Sequence, residues 1–210
     1  MIADVVGTPP SGPISPAEFR AFQACRPDHE RWELVAGTPR RIMTTIVHNL
    51  ITGRLEALLV RALMEYDPTR MACQRPGVEL GVGGNHCPEP DVSVIDADYA
   101  PGQQFTSRCY LLAEIVSDSD DQTVPGTGER WIEVKRRLYR GHAPCEAVLA
   151  LQEDRIDVIV DVKTSIGWQS ERLTAPDQLI ILPRFGLRCS VADLYRNTPL
   201  MPRRGTGSKP

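Results

Sequence analysis

The run YLLAEIV, residues 110–116, constrains the fold more than any other part of the chain. Apart from Glu114 it is almost continuously apolar, which is how a strand buried on both faces reads, whereas a half-exposed strand alternates. Such a strand has to lie inside a sheet with a covering layer on each side. The chain supplies those layers. From residue 46 to about 65, Val47, Ile51, Leu55, Leu58, Leu59 and Ala62 share one face at helical spacing, with His48 inside that stripe. Residues 129–140 form a second amphipathic pattern. Further strands are expected at 71–80, 91–95, 147–151, 157–162, 168–173 and 179–182. Two short strands flank Gly37, a short helix runs to about residue 24, and another covers 191–195. Ser15-Pro16-Ala17-Glu18 reads as a capping box opening the first of these helices. The order predicts an α/β (α+β) fold, a mixed central sheet flanked by helices.

With 210 residues the chain suits one domain, expected over 14–198. A loose Pro- and Gly-containing segment is expected over 1–13 and a disordered basic tail over 199–210. The formal net charge of −3 argues against a protein that coats nucleic acid non-specifically, but not against one local cleft. Six cysteines occur with no Cys-x-x-Cys pair and no zinc spacing, so buried free thiols are expected. The N-terminus lacks a signal-peptide pattern, and no apolar run has the length of a membrane span, which predicts a cytoplasmic protein.

Three charged residues interrupt apolar patterns. Glu114 sits in the doubly buried strand, where a carboxylate is costly unless it pairs, binds a metal or lies at the strand's open end. Asp91 opens the strand DVSVI after Glu89-Pro90. Either acid alone reads equally as a strand-end charge; together they can offer oxygen ligands to Mg²⁺. Lys135 projects into the apolar face formed by Trp131, Ile132, Val134, Leu138 and Tyr139, while Glu133, Arg136, Arg137 and Arg140 take the other face. It can snorkel to an edge, make a structural ion pair, or meet Glu114 at a reactive site. Asp, Glu and Lys converging at one sheet edge suit phosphodiester hydrolysis, in which metal ions activate water and a lysine offsets developing charge.

These segments resemble the Uma-type restriction endonuclease family, a bacterial branch of the PD-(D/E)XK nuclease superfamily. The resemblance is carried by ERWELVAGTPRRI, His48-Asn49, GVELGV, PEPDVSVID, LLAEIVSDSD, KRRLYRGHAPCEAVLAL, DRIDVIVDV and FGLRCSVADLY, in that order. It implies a restriction-endonuclease-like fold and a Mg²⁺-dependent (or Mn²⁺-dependent) endonuclease acting on DNA, with Asp91 and Glu114 as metal ligands. The superfamily's lysine two after the glutamate is replaced here by Val116. The Uma-type branch has instead a helix lysine four before a tyrosine, matching Lys135 and Tyr139. Glu33 and His48 match further acidic and histidine positions, His48 reading equally as a packed, hydrogen-bonded core residue. The usual Ser-Pro-Ser is Ser117-Asp118-Ser119, in a longer loop with added acids Asp118, Asp120 and Asp121. Arg40 and Arg41 are candidates for DNA backbone contact, whereas the helix arginines read as a solvated face. A homodimer would place two sites for two strands. The alternatives are a catalytically silent nuclease fold that binds nucleic acid or protein, and a phosphodiesterase for small nucleotides.

Overall fold

The computed structural model describes residues 12–27, 29–80, 84–124 and 128–201. Most of the segment expected to be loose over 1–13, and of the tail over 199–210, lies outside the described residues. In chain order the elements are α1 (Pro16–Ala24), β1 (Trp32–Val35), β2 (Thr38–Arg41), α2 (Ile46–Tyr66), β3 (Arg70–Cys73), β4 (Gly77–Val78), β5 (Val92–Asp96), β6 (Phe105–Thr106) and β7 (Cys109–Val116). There follow α3 (Trp131–Gly141), β8 (Ala147–Gln152), β9 (Val158–Thr164), β10 (Gly167–Leu173), β11 (Leu179–Leu182), a 3₁₀ turn (Pro183–Phe185), β12 (Leu187–Ser190) and α4 (Val191–Tyr195).

Six strands form one mixed sheet in the order β10-β9-β8-β7-β5-β3. Only β7 and β8 run parallel; the other four pairings are antiparallel. A parallel pair needs a long crossover, and α3 supplies it. Strand β7 is interior, as its apolar run requires. Its Leu111, Ala113 and Ile115 pack in a core with Ile51, Leu55, Leu59 and Leu63 of α2. On the other face Leu112 packs with Val134, Leu138 and Tyr139 of α3. Glu114 alternates with the α2-facing residues and so projects towards α3. The capping box at Ser15 and Glu18 forms as expected. All six cysteines are free, four of them buried. Among the described residues, no helix is long and apolar enough to cross a membrane.

The segment expected as one strand over 71–80 is instead β3 and β4, in different sheets. Pro76 lacks a donor and restricts its predecessor, and Arg75 takes a left-handed backbone with φ 53°. The short strands β6 and β12 were not legible as separate elements. Helix α3 starts at Trp131 rather than residue 129, because Arg130 bridges to Thr123 and the Glu129 carbonyl accepts from the Val124 N–H.

Arg136 corrects the expectation of a solvated arginine face. Its guanidinium is buried and forks onto both oxygens of Asp161 on β9, with bonds of 2.9–3.0 Å. Asp161 is 0% exposed. Breaking a buried pair by removing one partner leaves an uncompensated charge, so Arg136→Leu is expected to cost about 3–5 kcal/mol. The double variant Arg136→Leu/Asp161→Leu should recover most of it. Urea unfolding measures both, and a single-variant loss below about 1 kcal/mol would contradict a structural role for the pair.

Candidate active site

At one end of the sheet, β5, β7, the β1–β2 hairpin, the start of α2 and the face of α3 meet. The last ladder pair between β5 and β7 is Val92 with Ala113. One step further, Asp91 and Glu114 stand opposite each other on adjacent strands. The Ile115 N–H donates to Asp91 Oδ2 over 2.8 Å, which locks that carboxylate to the strand end. Both acids are buried, as are Glu33 and His48.

Lys135 is 3% exposed. One turn above it on α3, the Tyr139 hydroxyl donates to Glu114 Oε1 over 2.5 Å. Lys135 Nζ itself donates to Glu114 Oε2 at 3.0 Å and lies 2.9 Å from Glu33 Oε2 and 3.7 Å from Asp120 Oδ1. Burial alone would lower its pKa, but Glu114, Glu33 and Asp120 together raise it, so the ammonium stays charged. Burial pushes the Glu114 carboxyl up, to about 8, with Asp91, Glu33 and Asp120 adding to the rise and Lys135 opposing it. Asp120 is only partly buried, and Lys135, Arg40 and its bonds from Ser117 hold its pKa low against the cost of desolvation. His48 Nε2 lies 3.1 Å from Asp91 Oδ2, and its Nδ1 is 3.4 Å from the Thr52 hydroxyl. The buried histidine is therefore packed and also in contact with an acid of the cluster.

All five side chains singled out from the sequence thus meet at one place. Four more join them. Arg40, expected to face DNA backbone, points inward: Nη1 lies 3.2 Å from Glu33 and 3.3 Å from Asp120, and Nη2 donates to the Ser119 carbonyl. Its position was readable, since Glu33 and Arg40 are mirror positions about the Ala36-Gly37 turn and pair across the hairpin. Asp120, one of the added loop acids, turns into the cluster through bonds from the Ser117 N–H and hydroxyl. Arg75 Nε stands 3.6 Å from Asp91 Oδ1. Glu89 takes a bond from Gln23 on one oxygen, while its buried Oε2 has no hydrogen-bond partner; burial raises its pKa.

A cavity of about 20 Å³ lies among Glu33, His48, Asp91, Glu114, Asp120 and Lys135, room for roughly one water or small ion. Among the described residues, no three His, Cys, Asp or Glu side chains are already arranged around a metal position; the Lys135 ammonium takes the point where Glu33 and Glu114 converge. The donor chemistry nevertheless fits a hard divalent cation. Five carboxylates face three permanent cations, the acids are all oxygen donors, and one buried carboxylate oxygen of Glu89 is unsatisfied.

The six-stranded mixed sheet with helices on both faces, carrying this carboxylate–lysine cluster at one end, defines a restriction-endonuclease-like α+β protein. The Uma2 family, described as "Putative restriction endonuclease", matches residues 16–192, and the chain belongs to it. Its fold is shared by a solved structure from Anabaena variabilis described as a "putative nuclease belonging to DUF820". The two are 19% identical with a TM-score of 0.65, over 87% of this chain and 98% of that one. No curated protein matches the chain.

Proposed function

We propose that the chain is a divalent-metal-dependent endonuclease that hydrolyses phosphodiester bonds of DNA, with Asp91 and Glu114 holding Mg²⁺ or Mn²⁺ and Lys135 assisting the attacking water. The observation that carries this reading is the meeting of Asp91, Glu114 and the buried, charged Lys135 at one cavity. A bound divalent ion would polarise a phosphate oxygen and lower the pKa of a water. The chain's own residues supply the rest. Lys135 Nζ can donate to a phosphate oxygen and offset the charge that develops at phosphorus. Glu33 and Asp120 hold that ammonium in place, and Arg40 fixes them in turn. His48 orients Asp91 as an outer partner of a ligand carboxylate. Two copies about a two-fold axis would address both strands.

Ligation needs the Glu114 carboxylate, and burial pushes its pKa up, to about 8, against the opposing pull of Lys135. Mn²⁺ affinity, read by electron paramagnetic resonance, is therefore expected to rise about tenfold per pH unit below that value and flatten above it. The slope should vanish in Glu114→Gln. An affinity independent of pH in the wild-type chain would count against Glu114 as a ligand.

The direct test is cleavage of supercoiled plasmid and linear duplex in Mg²⁺ or Mn²⁺ by wild type, Asp91→Asn and Lys135→Met prepared identically. Cutting by the wild type alone, abolished by chelator, supports the assignment. Equal cutting by all three would mean a contaminant. None by any of them would turn the reading towards a silent binding fold or a small-nucleotide substrate.

A further inference from the structure

Next to the acid cluster lies a larger cleft of about 770 Å³. Glu89 lines both it and the small cavity among the acids, so the two adjoin at that side chain. Arg75, beside Asp91, forms the inner wall, and Arg20, Arg26 and Arg31 line the remainder. Four arginines thus face two glutamates, Glu30 and Glu89, in a chain whose formal net charge is −3. Tyr99 stands at the cleft with 54% of its surface exposed. Phe105 also lines the cleft, its ring so close over Gly77 that a Cβ there would come within 2.3 Å of it. The Arg20 guanidinium lies 5.7 Å from the Phe105 ring centroid.

Two details at the floor indicate a ligand. Arg75 holds a left-handed backbone, φ 53°, unusual for a residue with a side chain. That conformation, with its N–H bonded to the Pro90 carbonyl, directs the side chain to Asp91. Its Nε is nevertheless buried without a hydrogen-bond acceptor. Beside it, Glu89 Oε2 is buried without a donor. Each group has another partner, Asp91 for Arg75 and Gln23 for Glu89, but a buried donor and a buried acceptor atom without hydrogen bonds are costly to keep. A ligand that offers both acceptor oxygens and N–H or O–H donors would satisfy them together.

A nucleotide does so, with phosphate oxygens as acceptors and base or sugar groups as donors. The size of the cleft restricts the form. Its volume falls in the range of sites for single small ligands, roughly 300–1,000 Å³, whereas a duplex presents a major groove alone about 12 Å wide. Arginines interleaved with an exposed aromatic ring suit unpaired bases, which stack on the ring while their phosphates meet the guanidiniums.

We infer that the cleft receives one to a few unpaired nucleotides, as a single strand or splayed end, and leads their backbone past Arg75 to Asp91 and Glu114. This rests on the nuclease reading and specifies the form of its substrate.

Fluorescence anisotropy with labelled oligonucleotides in chelator, where no cleavage occurs, tests it. A single strand and a blunt hairpin of equal length are compared on wild type, Tyr99→Ala, Tyr99→Phe and Arg31→Glu. Both positions are exposed, so the fold should survive, and the phenylalanine retains a stacking face. The single strand should bind at least about tenfold tighter than the hairpin. Tyr99→Ala should weaken it by about 5- to 150-fold, the worth of one stacked base, and Tyr99→Phe should leave it nearly unchanged. Arg31→Glu should weaken the single strand more than the hairpin. Equal affinity for the two forms, or single-strand binding indifferent to Tyr99→Ala and Arg31→Glu, would overturn the inference. Metal-dependent cleavage of plasmid and single strand by the same preparations separates the two readings. Cleavage without preferential single-strand binding overturns the cleft alone, whereas preferential binding without cleavage supports the cleft and sinks the nuclease.

Discussion

Replacing Lys135 by methionine is expected to lower the free energy of unfolding by about 3–5 kcal/mol in the metal-free chain. The ammonium side chain is 4% exposed and lies within 4 Å of Glu33, Glu114 and Asp120. Methionine fills much the same space, so the cavity penalty is small, and its extra apolar surface returns only about 1 kcal/mol. The electrostatic loss is larger and decides the sign: three carboxylates lose a shared counter-charge in a site water scarcely reaches. The pH dependence identifies the cause. Without the ammonium, Asp120 loses the first of the charges that hold its pKa low, and Glu114 loses the one charge that opposes its rise. A raised acid pKa means that the native state binds more protons, so the penalty is full at high pH and disappears as pH falls into the ordinary carboxylate range. Urea unfolding at about pH 5 and about pH 8 should therefore show a large loss only at the higher value. Millimolar Mn²⁺ should restore more stability to the variant than to the wild type, because a cation that binds only the folded cluster stabilises it by mass action. A loss below about 1 kcal/mol, the same at both pH values, would mean that Lys135 is not the cluster's counter-charge.

Lys135 and Glu114 were legible in the sequence for one reason: each is a charge inside an apolar pattern. The same logic extends to β9. Asp161 also interrupts an apolar strand, VIVDV, and a buried acid there calls for a cation across the packing face. Arg136 answers it, although helical projection groups it with Glu133 and Arg137 on the polar side. Periodicity assigns a direction to a side chain but not the depth of the layer beneath it, and a long guanidinium crosses from one face to the next. Arg40 was readable from hairpin symmetry once Gly37 is taken as the turn. Asp120, Glu89 and Arg75 were not readable, because their roles exist only where separate loops meet. Nor was the break at Arg75-Pro76, which splits an apparent strand and turns Arg75 towards Asp91. The sheet's order likewise depends on pairing distant strands, β3 with β5 and β8 with β7, and no local pattern encodes that.

Asp91→Asn is expected to reduce metal-dependent cleavage by about 10³-fold or more. A metal's share of transition-state stabilisation is several kcal/mol, and each 1.36 kcal/mol is a factor of ten in rate. Asparagine keeps the shape and can still accept from the Ile115 N–H, so the strand end should stay in place. The charge is what disappears, and with it the attraction of the site for a divalent ion. Arg75 and His48, both directed at Asp91, then face a neutral amide whose NH₂ group repels donors. The stability cost of the weakened hydrogen bonds should stay near 1–3 kcal/mol, which urea unfolding can check independently. The decisive comparison is the dependence of rate on Mn²⁺. If Asp91 is a ligand, the variant's rate should climb with ion concentration far beyond the point at which wild type saturates. If Asp91 only braces the strand end, the variant should saturate where wild type does, at a rate lowered by misfolding alone. Activity within tenfold of wild type, with unchanged Mn²⁺ dependence, would remove Asp91 from the metal site and leave Glu114 to be paired with Glu89 or Asp120 instead.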